Sequence, residues 1–375
     1  MKPSTQDNGK QLCFDFDFII FDAVTVAEER FITVTHKPTG QVMEFDNRTA
    51  LWGDWRKREG GWIGLKNKVS GNDYYKAEDF DVVDGHRPRP FRVKGKKIGE
   101  DEEGNPVFEP DTFLSPLEGA KKIVDAKIAA ICESLGCYNY FGFTGEGEVF
   151  RHQKATLLPY KGNREDMLKP FLVDEIKRYV CEHHNAKLVT GIETDDAYTM
   201  AVIAGYKKWK TTKKEADKII GVAIDKDSKQ TDGWQFNPDK DTAPRLIEGF
   251  GSLWLDEKGK VDGKGRMWLY FQMLCGDATD NYKPNSHSVV KYAEKGAYND
   301  LKDCKTDKEA WQAMYNVFKR LYPEKKTVTT FRGEIEIDAV YVMQEMATLA
   351  MMQRWPDDKI DVRAVMGKLG VEYEA

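Results

Sequence analysis

The sequence predicts an α/β protein: a mostly parallel sheet domain followed by a C-terminal α-helical domain. Three observations carry that expectation. Short apolar runs alternate with stretches of helical apolar spacing up to about residue 281. Several of those runs end in clustered carboxylates. From about Ser286 onward the chain consists of amphipathic, helix-forming segments.

Taken in order, residues 11–16 (QLCFDF) read as a buried strand, and FIIFDAVTVAEE after them has helical spacing. Residues 31–45 form a hairpin pattern with KPTG at its turn. Between about 85 and 116, Pro, Gly and alternating charge blocks (HRPRPFRVKGKK, EDEEGNP) predict an irregular insertion. A helix is expected at 123–135, a strand at 138–143, a helix at 165–184, a strand at 187–190 and a helix at 195–209. The apolar run 219–224 reads as another strand, and 266–275 as an apolar helix. SVVKYAEKG, TDKEAWQAMYNVFKRLY and EIDAVYVMQEMATLAMMQR then predict a helical cap, with Trp311, Tyr315, Phe318, Met343, Met346, Met351 and Met352 in its core. The expected organisation is a first domain over 11–281, carrying an insertion at about 31–116, and a second over 282–375.

The chain has 375 residues, of which 41% are hydrophobic and 32% charged, enough for a sizeable core under a well-solvated surface. A net charge of −5 argues against a general nucleic-acid coat, but it is compatible with an acidic centre flanked by basic strips. The opening MKPSTQDNGKQ is not apolar, and no run approaches the roughly 18 residues of a membrane span. Cysteines 13, 132, 137, 181, 275 and 304 form no CxxC pair, which points to free thiols in a reducing cytoplasm.

Acidic clusters fall at expected strand ends: Asp15 and Asp17 in FDFD; Glu193, Asp195 and Asp196 in GIETDD; Asp225 and Asp227 in AIDKD; Asp277 and Asp280 in GDATDN. In an open α/β sheet the carboxyl ends of the strands line the ligand crevice, so these side chains would converge. Converging carboxylates repel, and divalent cations with oxygen ligands relieve that repulsion. Two such ions about 4 Å apart clamp the attacking and leaving oxygens of a phosphodiester. Each cluster alone has a plainer reading: DxD as surface, ETDD as helix capping, DKD as a turn and GDATDN as an Asx-turn loop. Four in order are harder to explain that way. FRHQKATLLPYKGNR adds Arg151, Lys154, Lys161 and Arg164 interleaved with Phe150 and Tyr160, a mixture suited to phosphate and to stacked bases. The strips at 207–214 and 87–97 read mainly as solvated basic faces, as do most of the six histidines.

The ordered set (strand then Asp15, FR…YKGNR, ETDD, DKD, GDATDN) resembles the 5′ flap endonuclease / 5′→3′ exonuclease family with its PIN-like core, and phage members most. The resemblance runs from about residue 11 to 281 and more loosely to 354. It implies a PIN-like nuclease domain with a helical arch over 151–172 and a helix-turn-helix-like C-terminal DNA-binding domain. One Mg²⁺ (or Mn²⁺) would be held by Asp15, Glu193, Asp195 and Asp196, and a second by Asp225, Asp227, Asp277 and Asp280. Lys161 and Arg164 match arch residues that act on the scissile phosphate, Tyr160 a base-stacking position and Arg151 a DNA contact. The partners implied are DNA 5′ flaps and 5′ ends, and RNA–DNA hybrids, in replication.

Two positions depart from the family. Thr144 stands where many members carry an aspartate, with Asp17 or water as the substitute. The Gly-x-Gly turn that binds K⁺ after GDxxDN is replaced by YKPNSHSVV. A haloacid-dehalogenase-type phosphatase shares the initial DxD, but Ile19 stands where that class has Thr or Val. A non-catalytic DNA-structure binder is the alternative of another class, supported only by Thr144.

Overall fold

In the computed structural model, which describes residues 9–54, 59–60, 64–65, 69–70, 77–165 and 167–374, the chain falls into two compact units. Unit 1 comprises Met1–Phe18, Ile128–Met167 and Val180–Ala375; unit 2 comprises Ile19–Lys127 and Leu168–Tyr179.

Unit 1 is built on a six-stranded sheet. Its strands are β1 (Gln11–Asp15), β2 (Tyr140–Val149), β3 (Ala186–Gly191), β4 (Ile219–Val222), β5 (Gly233–Phe236) and β6 (Arg245–Ile247). They lie in the order β3-β2-β1-β4-β5-β6, parallel throughout except for the β5–β6 pair. The mostly parallel α/β sheet expected from the alternating runs is therefore present. β1 is buried on both faces, which is why Leu-Cys-Phe reads as a continuous apolar run rather than an alternating one. The chain leaves β1 toward β2 and β3, then returns to the other side of β1 as β4. The switch point, where ligands bind in open α/β sheets, thus lies between the carboxyl ends of β1 and β4.

The longer helices are α1 (Phe16–Val26), α2 (Pro116–Leu135), α3 (Val173–His183), α4 (Thr194–Thr212), α5 (Arg266–Cys275), α6 (Glu294–Leu301), α7 (Asp307–Leu321), α8 (Ala339–Ala350) and α9 (Val362–Leu369). Helix α4 packs on the sheet through Tyr198 and Val202 against Cys13 and Ala223. A larger core joins α5, α6, α7 and α8 with Ala155, Leu157 and Tyr160. Residues 282–374 thus share a core with α5 inside unit 1, and the expected core residues Trp311, Tyr315, Phe318, Met343, Met346, Met351 and Met352 are all buried.

Unit 2 contains a three-stranded antiparallel sheet, with Glu28–His36 between Gln41–Phe45 and Phe80–Pro88, over a small core of Ile32, Val34, Leu51 and Phe80. The expected hairpin is therefore present. The stretch expected to be irregular from 85 to 116 instead pairs Phe91–Val93 with Thr112–Leu114 and Lys97–Glu100 with Pro106–Phe108. Those strands are short and mostly exposed, so they leave no apolar alternation to read. Part of the expected insertion lies outside the described residues.

Other differences have local causes. The helix expected from 165 starts only at Val173, because Pro170 biases its predecessor away from the helical region. The expected arch over 151–172 is a short helix Phe150–Lys154 and a single turn Gly162–Arg164 joined by irregular chain, whose Ala155, Leu157 and Tyr160 are drawn into the core. The segment 288–293 is not helical: Asn285 Nδ2 donates to the carbonyls of Val290 and Tyr292, at 3.3 and 3.1 Å. A hairpin, Lys326–Thr330 with Gly333–Ile337, interrupts the helical C-terminal region. Its alternation (KTVTT, GEIEI) is strand-like, but the strong helical patterns on either side mask it. No disulfide joins the six cysteines, and among the described residues no helix is long and apolar enough to cross a membrane.

Gly142 in β2 faces the Phe14 carbonyl oxygen and the Phe16 ring, where a Cβ would collide with both. Gly142→Ala is therefore expected to cost about 1–3 kcal/mol by overpacking, read as a lower urea midpoint with an unchanged slope.

Candidate active site

Asp15 ends β1 at the switch point; its Oδ1 accepts the Asp17 backbone N–H at 3.0 Å. Asp225 follows β4 and caps a one-turn helix, accepting the Asp227 N–H at 2.7 Å. Asp195 enters from the first turn of α4, just after β3. These carboxylates sense one another. Burial, then the charges of Asp17 and Asp225, hold the Asp15 carboxyl well above the usual range. Burial, then Asp15, Asp225, Glu193 and Asp227, do the same for Asp195. Asp227 is raised by burial and then by Asp225, against the opposing charge of Lys226 and the Gln272 hydrogen bond. The charges of Asp15, Asp195, Asp225 and Asp227 act on one another, and among the described residues none of the four has a lysine or arginine ion-pair partner.

The other four expected ligands are held by cations. Lys226 Nζ meets Asp277 at 2.6 Å, and although burial pushes that carboxyl up, Lys226 and the Thr279 N–H outweigh it and leave it lowered. Arg164 Nη2 donates to Asp280 Oδ1 at 2.8 Å; there burial wins and the carboxyl stays raised. Glu193 accepts from Lys161 Nζ, from Tyr160 OH at 3.1 Å, and lies 3.1 Å from Arg151 Nη1. Burial pushes the Glu193 carboxyl up, but Arg151 and Lys161 overcome it. Lys161 itself sits in the left-handed region (φ 56°), pinned by its own N–H to the Asp280 carbonyl at 2.9 Å.

Three expected site residues lie in surroundings that favour structural roles. Asp196 is fully buried, and its carboxylate is taken up by protein donors: Arg151 Nη1 and Nη2 at 2.6 and 2.9 Å, the Gln353 N–H at 2.8 Å and the Glu193 N–H at 3.1 Å. It completes a capping box with Glu193, the plainer reading of ETDD, and has no oxygen facing the cluster to spare for a metal. Arg151 is 0% exposed and also donates to the carbonyls of Leu349 (3.1 Å) and Met351 (2.7 Å) at the end of α8, so it is held inside the protein. Tyr160 is 3% exposed; its ring is in the core and its hydroxyl bridges Glu193 and Asp280, leaving no free face for a base.

Sequence reasoning singled out Asp17 and Thr144 but not the bonds between them, and it missed Thr194, Gln230 and Gln272, which also brace this centre. Asp17 accepts from Thr144 Oγ1 at 2.5 Å and from Thr194 Oγ1 at 2.6 Å, so the threonine that replaces an expected aspartate anchors a carboxylate instead. Gln272 Nε2 donates to Asp227. Gln230 reaches the Ala350 carbonyl at 3.1 Å and accepts the Met352 N–H at 3.0 Å. Segment 349–353 is thereby fastened to the Asp196 side through Arg151 and to the Asp227 side through Gln230. No local motif announces bonds that span 120 to 200 residues.

No protein-family model and no curated protein matches the chain. Similar solved structures include three from T5. The T5 D15 protein co-crystallised with metal ions is 13% identical over 61% of this chain and 79% of that one, with a TM-score of 0.35. The bacteriophage T5 D15 flap endonuclease in a pseudo-enzyme–product complex with DNA and metal ions is 15% identical over 54% and 77%, at 0.33. A mutant of the T5 5′-exonuclease is 14% identical over 61% and 78%, at 0.31. The functional reading rests on the site itself.

The donor set is all carboxylate oxygen, without imidazole or thiolate, which suits Mg²⁺ or Mn²⁺. Among the described residues, no three His, Cys, Asp or Glu side chains already form a group that could hold a metal ion. Of these carboxylates, Asp225 is exposed and Asp195 half-buried.

Proposed function

We propose that this chain is a divalent-metal-dependent nuclease that hydrolyses DNA phosphodiesters at or near 5′ ends. The carrying observation is the group Asp15, Asp195, Asp225 and Asp227, delivered to the switch point without cationic partners beside a loop bearing Lys161 and Arg164. A binding protein gains nothing from holding four carboxylates without ion-pair partners beside a phosphate. These four are the first candidates to hold two ions, with Glu193, Asp277 and Asp280 joining if their lysine and arginine partners turn to substrate. When bound, the ions would supply Lewis-acid stabilisation and a nucleophile at neutral pH. Lys161 and Arg164 act as a movable pair of cations: bound to Glu193 and Asp280 at rest, they orient the scissile phosphate and stabilise its charge when it arrives. Gln272 and the Thr144–Asp17–Thr194 bonds keep the surrounding carboxylates aligned. The substrates this reading carries are flaps, free 5′ ends and RNA–DNA hybrids, with a role in replication and primer removal.

The test is cleavage of a 5′-labelled flap duplex in Mg²⁺, Mn²⁺ and EDTA, beside a blunt duplex and a single strand. Metal-dependent cutting near the junction is expected, and product lengths separate endonuclease from exonuclease action. Flap binding without cutting of any DNA in either metal would overturn the proposal in favour of a structure-binding protein.

A further inference from the structure

Of the candidate metal ligands that cations hold, Asp277 is the one that a single side chain can release. Its Oδ1 accepts the Thr279 N–H at 2.7 Å, and its Oδ2 meets Lys226 Nζ at 2.6 Å. Lys226 is its only ion-pair partner among the described residues. Glu193 differs: were Lys161 to leave, Arg151 Nη1 at 3.1 Å and the Tyr160 hydroxyl would still hold it. Asp280 is shared among Arg164, Lys161 and the same hydroxyl.

Lys226 is also placed to move. It opens the one-turn helix Lys226–Gln230, directly after Asp225. Its side chain is 47% exposed, against 6% for that of Asp277. Its charge acts on the adjacent Asp227 as well as on Asp277. The ammonium therefore stands against two candidate ligands with about half of its side chain in solvent. The Asp277–Asp280 turn is gripped at one end by Lys226 and at the other by Arg164. A lysine binds phosphate as a compact charge on a flexible stem, so it can exchange a carboxylate for a phosphate by rotation alone.

We infer that Lys226 couples DNA binding to metal binding, an inference that rests on the nuclease function proposed above. In the free chain its ammonium neutralises Asp277. In the complex it turns outward to a phosphate oxygen of the strand and leaves Asp277 Oδ2 open to a divalent cation. One ammonium cannot serve both anions, so DNA favours the metal and the metal favours DNA by the same factor.

Two measurements on the full chain test this. Mn²⁺ binding without DNA is followed by electron paramagnetic resonance. DNA affinity is followed by fluorescence anisotropy of a labelled 5′ flap duplex with hydrolysis-resistant phosphorothioate linkages, in Mn²⁺ and in EDTA. For the unaltered chain, Mn²⁺ should tighten duplex binding about tenfold. Lys226→Met removes the competing ammonium, so Mn²⁺ alone should bind about tenfold more tightly, while the gain in DNA affinity from Mn²⁺ should shrink to about twofold. Lys226→Gln carries the same expectation should the methionine variant not fold. Lys226→Arg keeps the charge and should keep the coupling. A plain attraction between lysine and DNA would weaken binding equally in Mn²⁺ and in EDTA. That outcome, or unchanged Mn²⁺ binding in the variant, would overturn the coupling. Cleavage of an ordinary flap by the unaltered chain, with Mn²⁺ binding indifferent to Lys226→Met, overturns this role alone. Coupled binding in a chain that cuts no DNA overturns the nuclease reading alone. A chain that neither binds Mn²⁺ nor cuts overturns both.

Discussion

Asp225→Asn is expected to lower metal-dependent cleavage about a thousandfold, equivalent to about 4 kcal/mol of transition-state stabilisation, with the fold intact. The position separates chemistry from stability. Asp225 is exposed, pairs with no cation among the described residues, and accepts the Asp227 N–H at 2.7 Å. An asparagine oxygen keeps that cap. The substitution also removes a charge that raises the Asp15, Asp195 and Asp227 carboxyls, so stability in EDTA should hold or rise. Single-turnover cleavage of the flap duplex, paired with flap binding in EDTA and thermal melts with and without Mg²⁺, reads all three quantities. The unaltered chain should gain stability with Mg²⁺, and the variant should gain less. Full activity in Asp225→Asn would remove the carboxylate group from the mechanism.

Arg151→Met should cost about 3–5 kcal/mol of stability, because it strands Asp196 as a buried charge and leaves Glu193 with Lys161 as its only cation among the described residues. It also orphans the Leu349 and Met351 carbonyls. Urea denaturation measures the loss. The double variant Arg151→Met with Asp196→Leu should recover part of it, since removing both charges is far cheaper than removing one. A loss under about 1 kcal/mol in the single variant, with weakened flap binding instead, would restore the DNA-binding role that burial argues against.

These two residues mark what is readable in the primary structure. The apolar runs of β1 and β4, the helix α5 and the carboxylates after the strands are legible because strand burial and strand-end polarity are local properties that a few neighbouring residues express. The roles of Arg151, Tyr160 and Asp196 are not. A basic or aromatic residue in a polar loop looks the same whether it faces solvent or is pulled inward. Only the packing of 149–160 against α5 and α8 decides which, and that packing joins residues about 200 positions apart. The same holds for Gln230, Gln272 and Thr144, whose partners are fixed by topology rather than spacing. The sequence by itself determined which carboxylates could reach the crevice. The tertiary structure decided which of them remain uncompensated there, because a buried charge must find its partner through space, wherever the chain has brought one.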